Sequence, residues 1–452
     1  MPKIAHYRWP LSQTLAPIAR ACRGAGRRHQ RGQVMVLTVL GLGVMMAMMA
    51  MAIDVGYMWH VKRRMQTAAD AAALAGAAMI QGGSSAVVVA ADEDATLNGF
   101  TNGNDGVVLT VNYPPQSGPD SGNSDYVETI LSQPQNTFFL NLLGIARVKV
   151  GARAVAYSEN APGCVYVLDH TAQKAMSLSG GVSVAASCGT VVDSSNTDAL
   201  DVTGGSVLHT SAAGVAGQAQ TSGGGTIVNL TGQTLTPKNG IVPVPDPLAA
   251  VIAPTVGGCT YTGTQNLNAY LASQTPPYSG NYTISPGTYC GGIKASNGTT
   301  ITLNPGTYIL AGGGLSVETG GTFNGSGVTF YDTTGAAAGY GGASSGYGPI
   351  TFTGGTVANL SAPTNGPLAG ILFFQDRNVS SGAASNFSGG TNMNLAGALY
   401  FSTTQLNYSG GSNAAYTIIV ADTLNFTGGA TLNSDYSSLA NGSPIKGAVL
   451  SE

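Results

Sequence analysis

Charge is what this sequence most lacks: only 9% of its 452 residues are Asp, Glu, Lys or Arg, against roughly a quarter in an ordinary globular protein. Such a composition argues against a cytosolic housekeeping enzyme. The shortage is uneven, because after Glu159 the basic residues are Lys174, Lys238, Lys294, Arg377 and Lys446 alone. A body so poor in cations offers no footprint for a phosphate backbone, so nucleic acid is not an expected partner. Tryptophan (2), histidine (5) and cysteine (5) are also scarce. No Cys-x-x-Cys with a His neighbour suggests zinc, His170 and His209 stand alone, and neither a Ser-His-Asp grouping nor a phosphate-binding loop occurs. We expect no cofactor and no metal.

What the chain does have begins with an uncharged run from Gly32 to Ile53. The segment from about 34 to 53 contains Val34, Leu37, Leu40, Leu42, Met45, Met49 and Ile53. As a helix rising about 1.5 Å per residue it is long enough to cross the ~30 Å core of a lipid bilayer. The tail 1–31 carries seven basic residues (Lys3, Arg8, Arg20, Arg23, Arg27, Arg28, Arg31) and no acid; the positive-inside rule holds such a tail in the cytoplasm. Lys62, Arg63 and Arg64 on the other flank are the smaller cluster. Ala50-Met51-Ala52 also satisfies the small-x-small rule of signal peptidase, so cleavage after Ala52 is the alternative to a retained anchor.

Asp54 sits where this helix leaves the hydrocarbon, just ahead of Tyr57 and Trp59. It reads either as a solvated interfacial carboxylate balanced by Lys62 or as a docking contact. The helix is expected to continue to about residue 81, with Met65, Ala68, Ala69, Ala72, Ala73, Gly76 and Ala77 making one narrow face of small residues. That face packs either on the chain's own next domain or on a partner helix, and Gly82-Gly83 ends it. Residues 84–159 read as a small α+β domain: a helix from Ala86 to Leu97, strands at 107–113 and 126–132, a short apolar helix over 138–143, and a closing alternating strand over 147–156.

From about residue 163 short apolar triplets alternate with Gly-Gly, Asn-Gly and Pro-Gly, and phrases echo one another. Ser177-Leu-Ser-Gly-Gly returns at Asp201, and Ser285-Pro-Gly-Thr-Tyr returns at Asn304. Thr351-Phe-Thr-Gly-Gly returns at Asn386, Asn407 and Asn425. Irregular periods near twenty suit the rungs of a parallel β-helix over 163–452, with Asn386, Asn407 and Asn425 forming a ladder; a β-sandwich of jelly-roll type is the rival. Cys164, Cys188, Cys259 and Cys290 form an even set in an exported body and read as two disulfides. Four cysteines permit three pairings, of which we expect the sequential one; buried free thiols are the plain alternative.

The stretch Arg31-Gly-Gln, then the apolar run, then Ala52-Ile-Asp-Val-Gly-Tyr, then a basic cluster and Gln66-Thr-Ala-Ala-Asp-Ala-Ala-Ala-Leu-Ala-Gly-Ala resembles the N-terminal segment of the TadE/TadG-like proteins of bacterial Flp pilus-assembly (tight adherence, Tad) systems. Cys164-Val-Tyr-Val-Leu-Asp, Pro286-Gly-Thr-Tyr-Cys-Gly-Gly-Ile and Gly370-Ile-Leu-Phe-Phe-Gln-Asp-Arg resemble phrases in the bodies of TadG-like proteins. The resemblance implies a single-pass protein of the bacterial inner membrane, with its body periplasmic or surface-exposed. Its implied partners are other pilus-assembly subunits, besides the lipid bilayer. Pilins of the same systems carry a Glu shortly after the processing Gly, where this chain runs Gly32 to Leu37 without a carboxylate, so pilin-type processing is not expected.

β-Helix proteins also include polysaccharide lyases and glycoside hydrolases, whose sites need paired carboxylates or carboxylate-held calcium. Asp332, Asp376, Asp422 and Asp435, with Arg377, are the material for one. They read more simply as turn residues, with Asp376 paired to its neighbour. The expectation is therefore a membrane-anchored α+β protein with a large all-β body, a non-enzymatic component of the Tad/Flp apparatus that contacts other subunits, cell wall or surface polysaccharide. A surface adhesin or carbohydrate-binding module, and a polysaccharide-active enzyme, are the alternatives.

Overall fold

The structure, a computed structural model, describes residues 31–262, 265–266, 281–295, 299–318, 320–353, 355–379, 382–388, 392–411 and 413–451. The basic tail with Cys22 and part of the proline-rich loop lie outside the described residues. The chain divides into two compact units, residues 1–63 with 134–150, and residues 64–133 with 151–452.

In the first unit the helix α1 (Arg31–Ala78) starts with the uncharged run. Val34, Leu37, Leu40, Leu42, Met45, Met49 and Ile53 are each 54–65% exposed, so none of the described residues covers them. By length and composition this helix can cross a membrane. The rest of the unit is a tight loop. Thr137 N–H donates to Ala146 O (3.1 Å), and a single 3-10 turn, Leu140–Leu143, ends at Gly144 in the left-handed region (φ 86°). Only glycine takes that conformation without steric cost. The sequence predicts a short apolar helix here. The structure instead has only the single 3-10 turn and leaves Phe138 (60%), Leu142 (83%) and Leu143 (73%) open.

The second unit holds the remainder of α1, α2 (Gly83–Leu97), and a four-stranded sheet in the order β1 (Val108–Asn112), β2 (Tyr126–Asn136), β3 (Arg147–Asn160) and the strand Lys446–Leu450. β1 and β2 are antiparallel, with Val108 opposite Ser132 and Asn112 opposite Glu128. Met65, Ala68, Ala69, Ala72, Ala73 and Ala77 on α1, and Val87, Ala91 and Ala95 on α2, are fully buried at helical spacing. The fourth strand is a surprise of the tertiary structure: residues far along the chain return to pair antiparallel with β3, Ala156 opposite Leu450 and Asn160 opposite Lys446.

The remainder is a large β-rich body of short parallel strands. Most of these strands pair in parallel with the third strand following in the chain. The echoes fall into register. Thr351, Asn386, Asn407, Asn425, Ser177 and Asp201 occupy one column, and Phe352, Phe387, Tyr408, Phe426, Leu178 and Val202 the adjacent one. One echo behaves differently, since Gly287 pairs with Tyr308 rather than with Gly306. A slip of two residues preserves which face each side chain takes. Tyr289 and Tyr308 therefore still point inward, with ring centroids 6.0 Å apart.

Pairing does not follow chain order: the long strand Thr417–Leu432 pairs with Gly163–Val167, Met176–Leu178 and Ser183–Ala186 near the start of the body. The segment from Asn239 to Tyr261 bridges from the strand Lys238–Asn239, paired with Ala213–Val215, to the strand Tyr261–Thr262, paired with Gly287–Cys290. Phe323, Phe330, Phe352, Phe373, Phe387, Phe401 and Tyr408 fill the interior at 0% exposure. Ring stacks such as Phe352–Phe387 (5.3 Å) and Phe330–Phe373 (5.1 Å) each add about 0.5–1.5 kcal/mol beyond burial. Cys164 with Cys188, and Cys259 with Cys290, lie at Cα separations of 5.6 Å each, within disulfide reach.

Candidate functional site

Two groups of residues stand out, one in each unit. In the first, Asp54 is fully buried at the end of the apolar run. Its Oδ1 accepts from Phe138 N–H (2.9 Å) and its Oδ2 from Phe139 N–H (2.9 Å) and Leu140 N–H (2.7 Å). These are the otherwise unpaired donors at the start of a helical turn, and a carboxylate is their strongest side-chain acceptor. Neither sequence reading of Asp54, solvated carboxylate or docking contact, describes this local cap. The Tyr57 and Phe138 rings meet edge to face at 5.4 Å beside it. Ala47, Ala50 and Met51 of α1 and Phe139, Leu140, Leu142 and Leu143 of the loop line an apolar hollow of about 170 Å³.

Ala69, Ala72, Ala73 and Gly76 belong to the second unit and meet the chain itself. Thr129 Oγ1 of β2 donates to Ala69 O (2.8 Å), and a Cβ added at Gly76 would lie 3.1 Å from Val127 Cγ1 and 3.3 Å from Val87 Cγ1. The small side chains therefore let β2 and α2 approach the helix backbone. Nearby, Glu128 is buried and accepts from Asn112 Nδ2 (2.7 Å), Gln116 N–H (3.1 Å), Arg153 Nε (2.7 Å) and Ser117 Oγ. Burial alone would raise its pKa; the hydrogen bonds from Ser117, Arg153, Asn112 and Gln116 outweigh that and hold it at about 2.

The body's acids do not gather. Asp332 faces Gln375 across a parallel pair and is fully buried. Asp376, one residue on, turns to the opposite face and accepts from Thr333 Oγ1 (2.6 Å) and Asn378 N–H (2.9 Å). Burial holds the Asp332 carboxyl well above the usual range, and the charge of Asp376 adds to it. Among the described residues no three His, Cys, Asp or Glu side chains come together at metal-ligating distance. Arg377 does not serve Asp376. Its Nε donates to Tyr400 OH (2.6 Å), and its terminal nitrogens donate to Val251 O (3.1 Å) and Leu248 O (2.6 Å). Asp246 Oδ2 lies 3.9 Å from Nε. The guanidinium thus clamps the bridging segment to the stack, and adjacency in sequence misassigned its partner.

The second group is a polar face that the echoes partly foretold. Asn425 Nδ2 donates to Asn407 Oδ1 (3.3 Å), and Asn407 Nδ2 to Asn386 Oδ1 (2.7 Å), as the expected ladder. A second ladder was not read from the sequence. Asn324, Asn359 and Asn394 share a column, Asn359 Nδ2 donates to Asn324 Oδ1 (3.0 Å), and Ser361 Oγ to Ser326 Oγ (3.1 Å). They line a shallow depression of about 620 Å³ free of charged side chains. The signal available in the sequence was weak, because Phe323-Asn, Ala358-Asn and Met393-Asn share only the asparagine.

An apolar helix compatible with a membrane anchor, running on into a packed helix and followed by a β-rich body with few charges, defines the class. Residues 32–79 match the Tad family model, described as "Putative Flp pilus-assembly TadE/G-like". This stretch is the uncharged run with its alanine-rich continuation and includes Asp54, so the N-terminal segment is TadE/G-like. Neither the curated proteins nor the solved structures contain a match to the chain.

Proposed function

We propose that the chain is a non-enzymatic, membrane-anchored component of a Tad/Flp pilus-assembly apparatus. The carrying observation is that the TadE/G-like match falls on a helix whose apolar half is left uncovered by the other described residues. Exposure of that many large apolar side chains to water is untenable, and a bilayer removes it. α1 crosses the inner membrane once, with the basic tail in the cytoplasm and the body in the periplasm or at the surface.

Regular three-on pairing of parallel strands supports a β-helix over a β-sandwich, whose strands pair antiparallel. Such a body supplies reach and a repetitive face. Its partners are other pilus-assembly subunits, held together in the plane of the membrane. Deleting the chain in its host should abolish Flp pili and tight adherence, with recovery on re-expression of the full chain; unchanged piliation would refute the proposal. The uncharged Asn324, Asn359 and Asn394 ladder favours a second reading, contact with cell-wall or surface polysaccharide through hydroxyl-matching amides at about 4.8 Å spacing. Polysaccharide co-sedimentation lost on replacing Asn359 by Leu, with piliation intact, would favour that reading.

A further inference from the structure

The loop capped by Asp54 has no role in the anchor as so far described. It presents Phe138, Leu142 and Leu143 outward, with none of the described residues over them. It also lies along the span: Ala47, which shares a hollow with Leu142 and Leu143, is two helical turns before Asp54, about 10 Å toward the middle of the apolar run. From this geometry we infer that the segment Phe138–Ile145 is a second membrane contact, a finger that enters the leaflet at the Asp54 end of the span. The inference rests on the membrane-anchor reading.

Backbone in hydrocarbon must satisfy its own polar groups, and that condition is what usually forbids loops there. This loop pairs many of those groups. Asp54 takes the three N–H groups at its start. Gly144 N–H donates to Asn141 O (3.0 Å), Ile145 N–H to Leu140 O (3.1 Å), and Thr137 closes both strands through its N–H to Ala146 O and its Oγ1 to Ile145 O. The flank fits too, since Tyr57 and Trp59 on α1 and Arg147 and Lys149 on β3 are exposed, aromatic and basic residues suited to the headgroup layer. Lipid is the occupant argued here because Phe139, Leu140, Leu142 and Leu143 share one apolar hollow with Ala47, Ala50 and Met51 of the apolar run, with Asn141 the one polar side chain in the turn.

The test uses the full chain, carrying Cys22→Ser, in vesicles of phosphatidylethanolamine and phosphatidylglycerol. A spin label is attached at Leu142→Cys or Leu143→Cys, with Leu42→Cys as the span control and Val242→Cys as the water control. Collision rates with oxygen, which concentrates in lipid, and with a nickel chelate, which stays in water, are compared. The expected result is a several-fold excess of oxygen over nickel at 142 and 143, as at 42 and unlike 242. Nickel access at 142 and 143 with 42 shielded would overturn the finger and leave the anchor. Nickel access at all of them would overturn the anchor and the finger together. Shielding of 142 from both reagents would show a protein surface there and would also overturn the lipid contact.

Discussion

Replacing Glu128 by Gln tests whether a buried carboxylate holds the small sheet together. Its oxygens tie Asn112 of β1, the turn at Gln116–Ser117 and Arg153 of β3 to β2. A pKa of about 2 against an ordinary 4.5 corresponds to about 3 kcal/mol if fully transmitted to folding. Arg153 is 29% exposed, and solvent screening there reduces the transmitted share to about 1–2 kcal/mol. Because the folded pKa is depressed, the contribution is complete above pH 4.5 and is lost as pH falls toward 2. The stability difference between the native chain and E128Q should thus be constant at about 1–2 kcal/mol from pH 7 down to about 5, then close between pH 4.5 and 2. Urea midpoints of both proteins in detergent, followed by exchange protection of β2 amides, measure it. A difference still undiminished at pH 2.5, or one that closes already near pH 6, would refute the reasoning.

Phe387→Ala should cost about 3–5 kcal/mol, because the ring is fully buried between Phe352 and Tyr408 with no side chain free to fill the gap; the shift in urea midpoint reads it. Gly76→Val should destabilise the second unit by about 1–3 kcal/mol, since a Cβ there already crowds Val127 and Val87. Equal stability would mean the helix lies farther from β2 than described. Arg377→Met should free the bridging segment: loss of one charge-assisted hydrogen bond is worth about 1.5–3 kcal/mol. Proteolytic nicking between residues 240 and 256 should then rise roughly tenfold or more. No change in nicking would mean the clamp contributes nothing.

Much of the architecture was legible because it is local or periodic. The apolar run is long enough for a span by its residue count alone, and the Gly-Gly and Asn-Phe phrases repeat because paired parallel strands place equivalent residues in one column. The alternation at 147–156 and the small-residue spacing on α1 were likewise readable, as were the paired cysteines. Asp54 drew notice by its place at the end of the apolar run, but its partners lie 84 to 86 residues away, and no spacing rule reaches that far.

The sequence by itself determined where the long helix, its apolar run and many of the short strands fall, and that Asn386, Asn407 and Asn425 share a column, since each of these follows from side-chain period and backbone propensity. Only the tertiary structure decided the order in which the strands pair, with Ile419 beside Val165, because parallel pairing is energetically indifferent to how far apart two strands are in the chain. It also sent Lys446–Leu450 back to β3, turned Arg377 to Asp246 and Tyr400 instead of Asp376, and closed the alanine face with the chain's own β2. Finally, it left Phe138, Leu142 and Leu143 exposed. Apolar residues read alike in sequence whether they enter a core or stay at the surface, and only tertiary packing separates the two.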